Sequence, residues 1–350
     1  MDEAVFAVPG DLAAPTGGYA YARRLLELLP AHGIRAAHLR LPGSFPFPSV
    51  ADLAETGSFL SRLPEGVPLL VDGLAYGALP AQTIRAAVSR PIVALVHHPL
   101  GLETGLARDC AAALVVSERA ALALADRVIA TSPFTARILA AGFGVPEERL
   151  RVIPPGTEPA RRVESRPGPG TRLLAVGAVT PRKGYDRLVD ALAGLAELEW
   201  RLTIVGTLDR DPGHVEALRK SIAAASLGSR IRLAGAVTEA GLHRLYEEAD
   251  VVVSSSLFEG YGMVLTEALA RGLPLVVAAG GAAAETAPDD ATLKVPAGDV
   301  GALAEAIRVV VGDPDGRRVL AEAAWEAGRN LPRWDDTASA VAAVLREPTT

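Results

Sequence analysis

Lysine is almost missing from this chain: it stands only at 183, 220 and 294, so arginine carries most of the positive charge. Cysteine is limited to Cys110, which excludes an intramolecular disulfide and a thiolate metal cluster and points to a reducing, cytoplasmic setting. No apolar run is long enough to span a membrane. The opening residues carry no basic segment followed by an apolar one, so no secretory leader is read there. Positive charge is not in excess either. The formal net charge of −6 argues against a general nucleic-acid surface. Arg23 and Arg24 lie together on the first expected helix, but two arginines are too few to define a lipid-contact face, so no membrane contact is expected.

What is present is length and apolar bulk. The 350 residues suggest two domains, and with 49% hydrophobic residues burial is not limiting. Short buried strands alternate with helices throughout, which is the α/β pattern of parallel sheets. Strands are expected over 3–8, 34–41, 68–73, 91–99, 127–132 and 149–153, then over 172–177, 201–206, 230–235, 250–253 and 275–278. Helices are expected over 19–30, with Leu25, Leu26, Leu28 and Leu29 on its buried side, 114–125, from 133, 185–195, 262–272, 299–311, 321–327 and 335–345. Residues 42–48, with three prolines and two phenylalanines, read as an irregular loop, and residues 154–170, Pro154 to Glu158 and the polar stretch after them, as a linker between domains.

The chemistry centres on residues 254–281, read as strand, glycine loop, helix and parallel strand. Glu259 and Glu267 bracket the loop, and Gly260 and Gly262 let the backbone approach a ligand. The amides of Met263, Val264 and Leu265 at the helix start form an anion site. Two carboxylates cannot serve that anion, so they point to hydroxyls, and an anion flanked by hydroxyls describes a sugar nucleotide. The plain alternative is that Glu259 caps the helix and Glu267 lies on a solvated face.

Elsewhere, Gly17-Gly18 follows the first strand as in a phosphate loop, though a simple turn fits those two residues as well. Asp72, His97 and His98 fall at the carboxyl ends of strands, where ligands of open α/β sheets sit, with Glu103 soon after. Adjacent strand residues point to opposite faces, which disfavours one metal shared by both histidines. Asp209-Arg210-Asp211 has the spacing of a metal and nucleotide motif, but with Pro212-Gly213 behind it the preferred reading is a surface turn.

With these residues in hand, the chain resembles the family 4 glycosyltransferases, a retaining group with the GT-B fold. The matching pieces are Gly17-Gly18, His97, the segments 125–132 and 151–156, Val176-Gly177 through Lys183-Gly184, and Phe258 to Gly262 through Glu267-Ala268. The resemblance implies two doubly wound Rossmann-like domains facing a central cleft: 1–157 plus 331–350 on the acceptor side, where the last helix returns after a bend at Trp334, and 158–330 holding the donor. It implies that Glu267 binds the ribose. Glu259, with the amides of Gly260, Tyr261, Gly262 and Met263, would hold the transferred hexose. Lys183 and the amides of Val264 and Leu265 would neutralise the diphosphate. His97 would contact the sugar, and Gly17 and Gly18 would approach the phosphates. No metal or other cofactor is implied. The partners are a nucleotide-sugar donor and an acceptor the sequence does not name. One departure stands out: Ala178 occupies the place of the family's phosphate-loop arginine, leaving Arg182 or Arg210 as the candidate second cation. Two other readings stay open, a sugar-nucleotide epimerase on the same fold and a non-catalytic sugar-nucleotide binder.

Overall fold

Runs of valine, isoleucine and leucine bounded by glycine or proline suit strands buried on both faces. In the computed structural model, which describes residues 2–87, 90–164 and 170–347, such runs form two parallel six-stranded sheets. Residues 165–169, inside the expected linker, and Met1 and residues 348–350, in the expected first domain, lie outside the described residues. The chain divides into Met1–Gly156 with Pro332–Thr350, and Thr157–Leu331.

The first unit contains β1 (Asp2–Pro9), β2 (Ile34–Leu41), β3 (Leu69–Asp72), β4 (Ile92–Val96), β5 (Arg127–Ala130) and β6 (Leu150–Val152). They lie in the order β2-β1-β3-β4-β5-β6, every pair parallel. The order reverses between β1 and β3. Val5, Ala7, Val71, Ala94 and Val96 point into one apolar core, closed by Leu60, Leu122, Leu139 and Phe143 from the helices. The helix Gly17–Leu28 starts at Thr16, whose hydroxyl accepts the Tyr19 N–H at 3.3 Å. Its buried stripe is Tyr21, Ala22, Leu25 and then Leu29, a four-residue repeat. Leu26 and Leu28, expected inside, are only half-buried because they fall off that stripe.

The second unit contains β7 (Thr171–Val176), β8 (Trp200–Val205), β9 (Ile231–Gly235), β10 (Val251–Ser254), β11 (Leu275–Ala278) and β12 (Thr292–Val295). Their order, β12-β11-β10-β7-β8-β9, is again parallel throughout and reverses between β7 and β10. Apolar side chains fill both faces of this sheet, Trp200, Leu202 and Ile204 among those on one and Val252, Leu265 and Leu275 among those on the other.

Several elements differ from expectation. β12 carries Lys294 in a run of four, too short and too polar to stand out in the sequence. The helices Val50–Ser61, Pro212–Ala224 and Glu239–Glu248 were not expected, because few of their residues are buried. Their starts are nevertheless capped by Ser49, Asp211 and Thr238. The helix expected over 114–125 begins at Arg108, and that expected over 321–327 is part of Pro314–Arg329. The last helix, Trp334–Arg346, packs in the first unit, where the Thr337 hydroxyl donates to the Pro154 carbonyl at 2.9 Å. Among the described residues no helix is long and apolar enough to cross a membrane.

Candidate functional site

In an open parallel sheet, loops leaving neighbouring strands on either side of the order reversal diverge and leave a crevice at the strands' carboxyl ends. In the second unit those loops are 177–184 after β7 and 255–262 after β10. They are laced together: the Leu257 N–H donates to the Arg182 carbonyl at 2.8 Å, and the Ser255 hydroxyl to the Lys183 carbonyl at 2.8 Å. The first loop thereby places Lys183 Nζ 2.7 Å from Glu259 Oε1. Arg182 donates to the Phe258 carbonyl at 2.7 Å and to Glu259 Oε2 at 3.3 Å. Gly177 makes room for this, since a Cβ there would sit 2.5 Å from Lys183 Cε. The Glu259 backbone is fixed from the far side, donating to Gly280 at 3.1 Å and accepting from Ala282 at 2.8 Å.

Burial alone would raise the Glu259 carboxyl, but the Lys183 and Arg182 cations, with hydrogen bonds from Lys183 and Ser256, outweigh it and hold the group down to about 2. It is a carboxylate with two cations on it. Lys183, expected to face a diphosphate, and Glu259, expected to face a hexose, are therefore brought together and bonded to each other. Sequence reading named each residue but missed the pair, which joins residues 76 positions apart. It also missed Ser256.

The expected helix 262–272 is the shorter Met263–Leu269, entered through Gly262 at φ +99°, a left-handed conformation that suits only glycine well. The Leu265 amide is not available to an anion: it donates to the Gly262 carbonyl at 2.8 Å, because the helix begins with a tight turn. The amides of Met263 and Val264 make no backbone bond among the described residues. Glu267 is half-buried and accepts the Tyr246 hydroxyl at 2.8 Å. Tyr246 lies on a helix that the sequence reading passed over. The Tyr261 hydroxyl is pushed up to about 12 by burial, and its carbonyl accepts from Thr286 at 2.7 Å. Of the two candidates to replace the missing arginine, Arg182 is turned onto Glu259, while Arg210 is exposed. Asp211 is the cap of Pro212–Ala224, accepting the His214 N–H at 2.9 Å, and Asp209 accepts the Thr207 hydroxyl. Both acids are thus engaged locally, as a turn requires.

In the first unit, Gly18 and His97 come together: a Cβ on Gly18 would meet His97 Cδ2 at 3.4 Å. The His97 ring packs edge-on against Tyr21, with centroids 5.2 Å apart, and Tyr21 in turn packs on Trp334 at 5.6 Å. His97 Nε2 lies 3.6 Å from Asp72 Oδ2, beyond hydrogen-bond reach, while Asp72 Oδ1 accepts the Leu74 N–H at 2.8 Å. His98 faces Glu103 at 3.7 Å. Adjacent histidines thus look toward different acids, although β4 ends at Val96 and both lie in the bend beyond it, outside the strand expected over 91–99. Tyr21, the ring that fixes His97, carries no sequence signal beyond its place on the buried stripe.

Two family models match the chain: Glycosyltransferase Family 4 over residues 5–161 and Glycosyl transferases group 1 over residues 157–327. D-inositol 3-phosphate glycosyltransferase of Kineococcus radiotolerans is 30% identical over 259 residues, 66% of this chain and 59% of that protein. Mannosylfructose-phosphate synthase of Agrobacterium fabrum is 31% identical over 169 residues, 43% of this chain and 37% of that protein. The chain thus spans between 37% and 59% of these two curated relatives. Among solved structures, sucrose-phosphate synthase of Thermosynechococcus elongatus superposes with a TM-score of 0.82 at 23% identity, covering 98% of both chains. Anabaena HepE in complex with UDP-glucose gives 0.78 at 18% identity, covering 97% of this chain and 99% of that one. Identities this low speak to the fold, which is GT-B with two Rossmann-like domains. With the two models meeting at residue 157 and running together from residue 5 to residue 327, the chain belongs to the family 4 glycosyltransferases.

Proposed function

We propose that this chain moves a hexose from a UDP- or GDP-sugar to an acceptor hydroxyl, with retention of anomeric configuration and without a divalent metal. The observation that carries the reading is the Lys183–Glu259 pair at the β7/β10 reversal, followed by Glu267 on the adjoining helix. The names of the relatives agree in kind: an inositol phosphate glycosyltransferase, a mannosylfructose-phosphate synthase, and a fold neighbour holding UDP-glucose. A reducing, cytoplasmic setting belongs to the same reading and rests on the single cysteine.

In this reading an arriving diphosphate takes over Lys183, which releases Glu259 to accept hydrogen bonds from the hexose hydroxyls. Charge grows on the diphosphate as the glycosidic bond breaks, so the Lys183 ammonium and the Met263 and Val264 amides bind the transition state more tightly than the ground state. The acceptor oxygen attacks on the face the diphosphate is leaving, and the departing phosphate oxygen takes the acceptor's proton.

A non-catalytic sugar-nucleotide binder is the second reading, and Ala178 favours it, because the family's arginine is missing there. A thermal-shift panel of UDP- and GDP-sugars, followed by transfer assays with the best donor, separates the two: binding without turnover supports the second. The panel works because a ligand of the folded state must raise its stability. In the transfer assay, EDTA should leave turnover intact. Glu267→Ala should weaken nucleotide affinity, since ribose binding is shared by ground and transition states, whereas Glu259→Ala should chiefly lower kcat. Equal loss of free nucleotide affinity in both variants would refute that division of roles.

A further inference from the structure

Glu267, half-buried, is held in an unusual way for an acid with an arginine nearby. A carboxylate taken from water normally finds a cation. Arg271 is one turn along the chain and itself buried, yet no ion pair forms between them among the described residues. Instead the Arg271 guanidinium stacks over the Tyr246 ring, 4.5 Å from its centroid, and donates to the Glu267 main-chain carbonyl at 2.7 Å. The only hydrogen bond to the carboxylate among the described residues is from the Tyr246 hydroxyl to Oε2, at 2.8 Å. Tyr246 is fully buried, and Glu267 is its hydroxyl's partner. The cation therefore clamps the tyrosine, the tyrosine fixes one carboxylate oxygen, and Oε1 is left unbonded.

We propose that Tyr246, clamped by Arg271, is a positioning residue that orients Glu267 so that its free Oε1 receives the ribose hydroxyls of the donor nucleotide. The inference rests on the nucleotide-sugar reading of the site. A tyrosine serving only the core would need its ring buried and its hydroxyl satisfied. It would not need a neighbouring guanidinium stacked over its ring.

The arrangement has a pH consequence. Burial raises the Glu267 carboxyl, while the Tyr246 hydrogen bond, Arg271 and His243 act to lower it and Glu239 to raise it. His243 and Glu239 sit on the same helix as Tyr246 and are common to wild type and variant. Removing the hydroxyl withdraws one lowering influence, so Glu267 in Tyr246→Phe takes up its proton at a higher pH than in wild type. A ribose site that needs the carboxylate then fails earlier as pH falls.

The test is calorimetric binding of UDP and GDP, and of their 2′,3′-dideoxy forms, to the full chain between pH 5.5 and 8.5. Wild type should prefer the ribonucleotide by about tenfold or more, the scale of a hydrogen bond to a charged group. Tyr246→Phe should cut that preference to about threefold or less, and its affinity should fall away at a higher pH than that of wild type. Full retention of the ribose preference in Tyr246→Phe, with a pH profile parallel to wild type, overturns the inference. Glu267→Gln separates the two levels. If it keeps the ribose preference, or if wild type binds neither nucleotide, the reading of the site is what fails. If it loses the preference while Tyr246→Phe keeps it, only the clamp is wrong. Should Tyr246→Phe not fold, Arg271→Met unclamps the ring while leaving the hydroxyl bond in place, and it should lower the ribose preference in the same sense.

Discussion

Glu259 and Glu118 are buried carboxyl groups pushed in opposite directions. Glu259 folds with its carboxyl near 2 against an ordinary value of 4.5, a difference on the order of 3 kcal/mol in favour of the folded state. Its folded value lies below its unfolded one. The contribution is complete above about pH 4.5 and is lost as pH falls toward 2. Glu259→Gln should flatten the acid side of the stability curve in that window, measured by urea unfolding. Lys183→Ala removes the closer of the two cations and leaves Glu259 buried with Arg182 alone. It should cost about 2–4 kcal/mol of stability and, on the proposed function, about a hundredfold or more in turnover. A Lys183→Ala/Glu259→Ala double variant should be less destabilised than the sum of the singles, because each single strands charge that the double removes.

Glu118 pairs with no cation among the described residues. It is fully buried, accepts the Leu100 N–H through Oε2 at 2.8 Å, and leaves Oε1 unbonded. Burial raises it to about 8, with the Leu100 bond only partly offsetting that. Here the folded value lies above the unfolded one, so its stabilising effect is present below about pH 4.5 and is lost as pH rises through 8. Glu118→Gln, neutral at every pH, should be near wild type at pH 4.5 and more stable by about 2–4 kcal/mol at pH 8. A gain that does not change between the two pH values would count against the buried ionisation.

At the scale of elements, the helix carrying Glu267 is placed by a close contact at its end. A Cβ on Gly328, in the helix Pro314–Arg329, would lie 2.1 Å from the Leu269 carbonyl oxygen. That oxygen is backbone, so no side-chain rotation relieves the clash. Gly328→Ala should cost about 2–4 kcal/mol and shift the Met263–Leu269 helix, weakening nucleotide binding with it. Gly142 is the control. It lies near the end of Pro133–Phe143 with open space around it, and Gly142→Ala should gain about 0.5–1 kcal/mol. Thermal melts of the two variants should move in opposite directions.

At the scale of the whole molecule, the chain leaves its first unit at residue 156 and returns to it at residue 332. The return is fixed by packing. Trp334 is buried against Tyr21, and Gly156 passes so close that a Cβ there would lie 2.2 Å from the Trp334 amide nitrogen. Trp334→Ala should cost about 3–5 kcal/mol and loosen the Tyr21 ring on which His97 rests. Glu347 adds a half-exposed ion network, accepting from Arg127 at 2.5 Å and from Arg151 at 2.6 and 2.8 Å. Glu347→Ala should cost only about 1 kcal/mol, because exposed pairs gain little over water. Comparable losses in the two variants would mean the return depends on charge and not on the aromatic contact.

The sequence by itself determined the parallel α/β architecture, because doubly buried strands must be written as near-continuous apolar runs whatever surrounds them. It also marked the two loops that the structure brings together after β7 and β10. Glycine at 262 is demanded by backbone conformation, and Lys183 stands out in a chain that otherwise relies on arginine. Elements with little apolar surface, such as β12 and the helix Glu239–Glu248, were illegible for the converse reason. Tertiary structure alone decided which charges meet. That Lys183 closes on Glu259, that Tyr246 takes one oxygen of Glu267 and that Arg271 turns to the ring follow from β10 lying beside β7. Strand order is settled by how two apolar faces are covered at once, a property of the assembled sheet that no local run of residues encodes.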